Sequence, residues 1–235
     1  MNEETVSKPL PIIAILGGTG KEGPGLAIRW ASVGYPIIIG SRQQEKAERV
    51  AAELNAKLGI ERVRGMENGS AARSADLCVL TVVHTAHQAA IESLAGDLKG
   101  KILVDTTARV DFRDPQPPGP PSAAKMAQEK LGEVVRVVAA FQNVPASVLK
   151  KNLGEPLDVD ILVCADDQEA AQRVIELVKD IGMQAYYAGG LENAVVVEGL
   201  TSILISLNKH YGGHSAAIRV TGVKGEDRPG RIHRT

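Results

Sequence analysis

Aromatic residues are scarce. Phe, Tyr and Trp number 2, 4 and 1, or 3% of 235 residues, too few for the stacking platforms that hold single-stranded nucleic acid. Neither sign of charge dominates: 27 Lys+Arg face 28 Asp+Glu, a net charge of -1. That balance argues against a protein built mainly to coat nucleic acid or an anionic membrane. The two cysteines, Cys78 and Cys164, lie in apolar runs. They supply neither a disulfide framework nor a zinc spacing and read as buried thiols. Of the five histidines, His84 and His87 form an H-x-x-H pair without the glutamate or spacing of a metalloprotease helix, so no metal site is expected. No run reaches the roughly 18 apolar residues of a membrane span; the longest candidate, Ala194–Leu207, is interrupted by Glu198. Residues 1–8 are polar, and the run Leu10–Leu16 does not read as a secretory leader. A cytoplasmic protein is the expectation.

What is present is ordinary for a globular chain: 44% apolar and 23% charged residues, in a length that suits one large domain, or one with an appendage. Short apolar runs alternate with helical periodicity. Ile12–Leu16, Pro36–Ile39, Asp76–Val83, Lys101–Asp105, Val134–Ala140, Val159–Cys164 and Gln184–Tyr187 read as strands. Helices are predicted up to Ser32, over Arg42–Leu58, His84–Ala95 and Ser122–Leu131, and from Asp166 or Asp167 to Ile181. Between them, Asp114–Pro121 carries too much proline for helix or central strand and reads as a mobile surface loop. Repeated βαβ units imply an α/β fold: a Rossmann-type doubly wound parallel sheet over residues 9–188. A small helical C-terminal domain follows over 189–235, built on a helix from Leu191 to about Asn208 that is apolar nearly all round. Such a helix must bury itself against another domain or subunit, and a homodimer is expected. The polar tail from Lys224 is expected to fray.

One motif carries chemistry. Gly18-Thr19-Gly20-Lys21-Glu22-Gly23 is G-x-G-x-x-G, placed directly after the first strand and opening a helix. Gly18 is assigned the tight turn, Gly20 the close approach of backbone to pyrophosphate, and Gly23 the packing of helix on sheet. The free N–H groups and positive dipole end of the helix suit phosphate. At the end of the second strand, where an NAD site places a carboxylate, stands Gly40-Ser41-Arg42. Arg42, with Lys46 one helical turn on, suits a 2′-phosphate and hence NADP(H). Ser41-x-x-Gln44 also matches a capping box, and the two cations can equally be solvated surface charges. Asp105 reads as a catalytic acid or, better, as a strand-end residue that organises the following loop.

Further segments join this motif: Glu45-Lys46-Ala47-Glu48, Ala75-Asp76…Leu80-Thr81, Val104-Asp-Thr-Thr107, Val137-Val-Ala-Ala-Phe141-Gln-Asn-Val-Pro-Ala146, and His214…Ile218-Arg219-Val-Thr221-Gly222. In this order, from Ile12 to Gly222, the chain resembles the coenzyme F420-dependent NADP oxidoreductase family. The resemblance implies hydride transfer between NADP(H) and coenzyme F420, both small-molecule partners. It implies Thr19, Gly20, Lys21 and Glu22 around the pyrophosphate, and Ser41, Arg42 and Lys46 on the 2′-phosphate. It puts Thr81 and Val82 along the ribose and nicotinamide, with Ala108 and Ala146 bordering the nicotinamide. The deazaflavin is placed between the carboxyl edge of the sheet and the C-terminal helix, near Phe141, Gln142, Val144 and the Gly212–Arg219 turn. Some members carry histidine where Gln142 stands. Two rival readings share the dinucleotide motif. An NADP-dependent β-hydroxyacid dehydrogenase or imine reductase has a similar fold and long helix, but the hydroxyacid enzymes carry a lysine early in that helix, and Glu192–Asn208 has none. A non-enzymatic NADP sensor needs no further motif. No cluster of titratable groups is expected beside the glycine motif, and hydride transfer between two cofactors requires none.

Overall fold

The computed structural model describes residues 9–223; the expectation for the tail from Lys224 lies outside them. Six parallel strands form the main sheet: β1 (Ile13–Leu16), β2 (Ile37–Ser41), β3 (Val63–Glu67), β4 (Leu77–Leu80), β5 (Ile102–Asp105) and β6 (Arg136–Ala139), in the order β3-β2-β1-β4-β5-β6. The central strands β1, β4 and β5 are buried along their whole length, which is why each reads as an unbroken apolar run. Ile13, Ile15, Ile37 and Ile39 point to one face, where α1 (Gly23–Ser32), α2 (Gln44–Leu58) and α7 (Gln168–Asp180) supply Trp30, Ala51 and Val174. Ala14, Leu16, Cys78 and Leu80 point to the other, against α3 (Asn68–Ser74), α4 (His84–Leu94) and α5 (Ala123–Leu131).

Strand β3 and helix α3 carry no clear signal in the sequence. Val63–Glu67 buries only Val63, exposes Arg64 and Glu67 and is interrupted by Gly65, so it lacks the apolar run that marks the other strands. That glycine is dictated by packing: a Cβ at Gly65 would lie 2.2 Å from the Glu48 amide nitrogen. Helix α2 can therefore press its backbone onto β3 only because the side chain is absent. Helix α3 is seven residues long, too short to show a period.

The strands at 159–164 and 184–187 do not extend the main sheet as expected. Beyond β6 the chain turns through α6 (Ala146–Leu149), and β7 (Asp160–Val163) pairs with β8 (Gln184–Tyr187) in a separate parallel ladder. A single antiparallel bridge, Ala139 with Cys164, joins this ladder to β6. The reversed direction at that bridge ends the parallel register. Arg29, buried on α1, ties the connection down by donating to the carbonyls of Leu149 and Lys151 at 2.8 and 2.5 Å.

Helix α8 (Ala194–Tyr211) follows a 3-10 turn, Leu191–Asn193. Within one subunit it is only half buried. Val197, Glu198 and Ser202 face the fold, while Val196 and Ile203 remain 65% and 54% exposed. It is also the one helix among the described residues long and apolar enough to span a bilayer by length and composition, yet its packed face holds a buried ion pair between Glu198 and Arg109. The proline-rich loop is pinned at two points: Arg109 donates to the Gly119 carbonyl at 2.7 Å and Lys209 to the Arg113 carbonyl at 2.9 Å. A hollow of about 710 Å³ separates this loop from the exposed face of α8.

Candidate active site

Every strand of the main sheet ends at the same edge, and the sequence-predicted residues gather there. Strands β1 and β4 are neighbours, with the chain running outward to β2 and β3 on one side and to β5 and β6 on the other. This is the switch point where open α/β sheets leave a crevice. The glycine loop opens it. Gly17, at φ +69°, makes the left-handed turn, a role the sequence reading gave to Gly18. A Cβ at Gly18 would instead strike the Ile15 carbonyl at 2.5 Å. At Gly20 the added Cβ would meet nothing nearer than 3.8 Å, so the loop is open there. At Gly23 it would lie 2.6 Å from the Gly18 Cα, which is the close packing assigned to the third glycine. Asn68, at the start of α3, accepts from the Gly17 amide at 3.1 Å and braces the loop. That contact was not legible, because the element carrying Asn68 was not.

Ser41 closes β2 and is buried; its hydroxyl accepts from the Gln43 amide at 3.2 Å. The capping box does not form: α2 begins at Gln44 and has no side-chain cap. Arg42 therefore lies in the loop, and Lys46 in the first turn. Both are exposed, and among the described residues neither has an ion pair or side-chain hydrogen bond. Lys21 and Thr19 sit on the glycine loop, the first exposed and the second half-buried. At the end of β4, Thr81 donates its hydroxyl to the Leu16 carbonyl at 3.1 Å. The half-buried Val82 follows it, against Gly17. Ala108 and Ala146 are half-buried at the ends of the β5 and β6 connections.

After β6 the chain makes a turn in which the Val144 amide donates to the Phe141 carbonyl at 3.1 Å. Phe141 has φ +74°, a costly conformation for a bulky residue. It drives the ring inward, edge-on to Trp30 at a centroid distance of 5.7 Å. Phe141 and Val144 thus place their side chains in the core, and only their backbone is available to the cleft. Gln142 and Asn143 are turned the other way. Gln142 donates to the Asp105 carbonyl at 2.8 Å, leaving its Oε1 buried without a partner. Asn143 donates to the Val197 carbonyl and the Thr201 hydroxyl at 2.9 and 3.0 Å, so the turn joins the sheet edge to α8. Of the Gly212–Arg219 segment, Ile218 instead joins the edge of β7, its carbonyl accepting from the Asp160 amide at 2.9 Å.

The expectation of no titratable cluster beside the glycine motif is overturned. Asp105, fully buried, accepts from the Thr107 amide at 3.0 Å with Oδ1 and meets His87 Nε2 at 2.6 Å with Oδ2. It does organise the loop after β5, and it also forms a buried pair with α4. Burial opposes charge on His87, but the bond to Asp105 and its charge, with Glu198 adding, hold the ring above its usual pKa. Glu198, wholly buried on α8, accepts from Arg109 at 2.9 Å and from the Ala123 amide at 2.5 Å. Burial still raises its carboxyl above the ordinary range. Glu22 completes the cluster. Its carboxyl meets the Thr106 hydroxyl at 3.2 Å, and burial pushes it up to about 8. The Thr106 bond pulls that value down, and the charge of Asp105 adds to it. Residues 22, 87, 105 and 198 are far apart in the chain, and only the sheet topology brings them together.

These residues fit a phosphorylated dinucleotide: an open glycine cradle, a helix start without a side-chain cap, and two unpartnered cations at the end of β2. Among the described residues, Glu22 Oε1, Thr107 Oγ1 and Gln142 Oε1 are buried side-chain atoms without a protein hydrogen-bond partner, positions that a bound water or ligand can satisfy. Residues 12–109 match the family described as NADP oxidoreductase, coenzyme F420-dependent. The F420-dependent NADP reductase of Methanocaldococcus jannaschii is 41% identical over 228 residues, covering 90% of this chain and 99% of that protein. The chain belongs to this family. A second member, the F420-dependent NADP reductase of Methanothermobacter thermautotrophicus, is 39% identical, covering 90% and 95% of the two chains. A solved structure from Arthrobacter sp. FB24, assigned provisionally as an F420-dependent NADP-reductase, superposes with a TM-score of 0.76 at 26% identity, covering 90% of this chain and all of that one. An imine reductase from Bacillus cereus superposes at a TM-score of 0.59 with 17% identity over 86% of this chain and 62% of that one, a likeness of fold alone.

Proposed function

We propose that the chain transfers a hydride between NADP(H) and coenzyme F420 along the carboxyl edge of its sheet. Near-full-length identity to curated F420-dependent NADP reductases carries the reading. The unpartnered pair Arg42 and Lys46 beside the open glycine loop supports the NADP half. In this reading Thr19, Gly20, Lys21 and Glu22 wrap the pyrophosphate on a loop shaped by Gly18 and Gly23, while Ser41, Arg42 and Lys46 hold the 2′-phosphate. Thr81, Val82, Ala108 and Ala146 line the nicotinamide side. Gln142, held by the Asp105 carbonyl, offers its free Oε1 to the deazaflavin side.

The two coenzymes supply the hydride donor and acceptor. The chain aligns two planar rings and keeps the cleft dry, which is where the rate advantage of such a reaction lies. Lys209, the lysine nearest the end of α8, is engaged with the Arg113 carbonyl and is not offered as a proton shuttle for a hydroxyacid. Mixing the enzyme with NADPH and oxidised F420 should bleach the deazaflavin absorbance as NADPH is consumed. NADPH oxidation that needs a hydroxyacid or imine partner and leaves F420 untouched would establish the dehydrogenase reading. NADPH binding without turnover of any acceptor would establish the sensor.

The half-exposed α8 supports a homodimer in which Val196, Ile203 and Leu207 meet a second copy. Scattered apolar residues need no explanation, but a contiguous stripe beside a proline-lined hollow does. Sedimentation should show a dimer at micromolar concentration. Because Ile203 is exposed within one subunit, Ile203→Asp should leave the fold intact and yield monomer, since a charge facing apolar surface is costly. A monomeric wild type would contradict the assignment.

A further inference from the structure

Asp105, the last residue of β5, fastens two walls of the cleft. Its Oδ1 accepts from the Thr107 amide at 3.0 Å and shapes the loop that leads to Ala108. Its carbonyl accepts from the Gln142 side chain at 2.8 Å and from the Ala140 amide at 3.3 Å, which fixes the turn after β6. The first wall is the nicotinamide side and the second the deazaflavin side. The carboxylate is wholly buried, and among the described residues His87 is the one side chain that bonds it, with Nε2 2.6 Å from Oδ2. A carboxylate oxygen only accepts, so Nε2 carries the proton and donates. The neighbouring cation Arg109 is taken up by Glu198 and by the Gly119 carbonyl.

His87 stands near the start of α4, which begins directly after Val82 and Val83 at the end of β4 and has no side-chain cap. The bond to Asp105 therefore ties the chain after β4 to the loops after β5 and β6, so the ends of adjacent strands share one carboxylate. Stability alone does not account for the pair. Buried ionisable pairs are often replaceable by apolar residues of similar volume without loss of stability. The strands on either side, β4 and β6, end on Leu80 and Ala139 and carry no such pair. What a satisfied buried polar network adds is rigidity and one defined arrangement.

We propose that His87 is a positioning residue for hydride transfer: through Asp105 it holds the Ala108 loop and the Gln142 turn at the separation that sets one coenzyme ring against the other. The proposal rests on the reading of this cleft as the site of NADP(H) and F420. No proton passes through His87, and Nε2–H stays on Asp105 throughout. Rings aligned for transfer tolerate little displacement, and about 1 Å costs on the order of a hundredfold in rate. Without the strut, Asp105 is free to turn and both walls lose their common anchor. NADPH affinity, set at the glycine loop and at Arg42, is untouched.

The test is single-turnover reduction of F420 by saturating NADPH, followed by stopped-flow absorbance, in the wild type, His87→Leu and His87→Gln. Leucine fills the space without a donor, whereas glutamine returns an amide N–H to Oδ2. His87→Leu should slow the hydride step on the order of ten- to a hundredfold with NADPH affinity unchanged, and His87→Gln should restore most of the rate. A purely structural role would lower the melting temperature of His87→Leu and leave the rate constant of its folded fraction at the wild-type value. That result overturns the proposal, as does a His87→Gln as slow as His87→Leu. Either leaves the reading of the cleft standing, since the wild type still reduces F420. A wild type that does not reduce F420 overturns the reading and the proposal with it. If His87→Leu does not fold, heteronuclear NMR of the wild type with NADP+ and oxidised F420 bound decides. A slowly exchanging Nε2–H on His87 supports the strut, and an Nε2 that exchanges freely or carries no proton overturns it.

Discussion

Gly23→Ala is expected to abolish tight NADPH binding and to lower the melting temperature together. The new Cβ would stand 2.6 Å from the Gly18 Cα and 2.7 Å from the Gly18 carbonyl oxygen. Those are backbone atoms of the loop that the dinucleotide must approach, and they have no rotamer to change. Either α1 moves away from the sheet or the loop is pushed out of shape. Overpacking of this kind costs about 1–3 kcal/mol in a rigid core, and the displaced amides lose their aim at the phosphates as well. NADPH affinity should drop at least about a hundredfold if some 3 kcal/mol is lost from binding. Fluorescence titration with NADPH checks this. Gly20→Ala supplies the contrast, because a Cβ there meets no protein atom within 3.7 Å. It should keep wild-type thermal stability and lose affinity only. Wild-type affinity in both variants would remove the pyrophosphate from this loop.

Arg42→Ala separates the two dinucleotides. A hydrogen bond to a charged group is worth about 1.5–3 kcal/mol, so NADPH affinity should fall on the order of ten- to a hundredfold while NADH binding barely changes. The absence of a competing ion pair at Arg42 among the described residues makes the prediction sharper, since no internal partner is stranded by the change. Its place in the β2–α2 loop, ahead of the first helical turn, also means that truncation should leave α2 intact. Equal losses for NADPH and NADH would contradict a 2′-phosphate role.

Much of this site could be read from the chain because its parts are local. β1 is a continuous apolar run ending in glycines, and the G-x-G-x-x-G motif follows it within two residues. Gly40-Ser41-Arg42 is informative because a short strand ends there. What could not be read depends on distant contact or on backbone conformation without a marker residue. Asn68 braces Gly17 from an edge segment whose strand buries only Val63 and carries Gly65. Phe141 was expected to face the deazaflavin, but a left-handed φ at a phenylalanine has no sequence signature, and it sends the ring to Trp30. The start of α2 was placed two residues early because Ser41-x-x-Gln44 has the form of a cap, whereas the Ser41 hydroxyl serves Gln43. Helix α8 reads as apolar nearly all round, and composition does not say which of its faces the fold covers and which another subunit would. The acid cluster escaped for the simplest reason: its members meet only where β4, β5, α1, α4 and α8 converge.

In the proposed reaction a hydride passes directly between the two coenzymes in this cleft. The most direct measurement uses NADPH carrying deuterium on one face of nicotinamide C4, with oxidised F420 as acceptor, and follows the label by mass spectrometry and NMR. A cleft that fixes both rings predicts that deuterium arrives at deazaflavin C5 from one NADPH epimer only, with none lost to water. Transfer from both epimers, or label appearing in solvent in place of the deazaflavin, would contradict it.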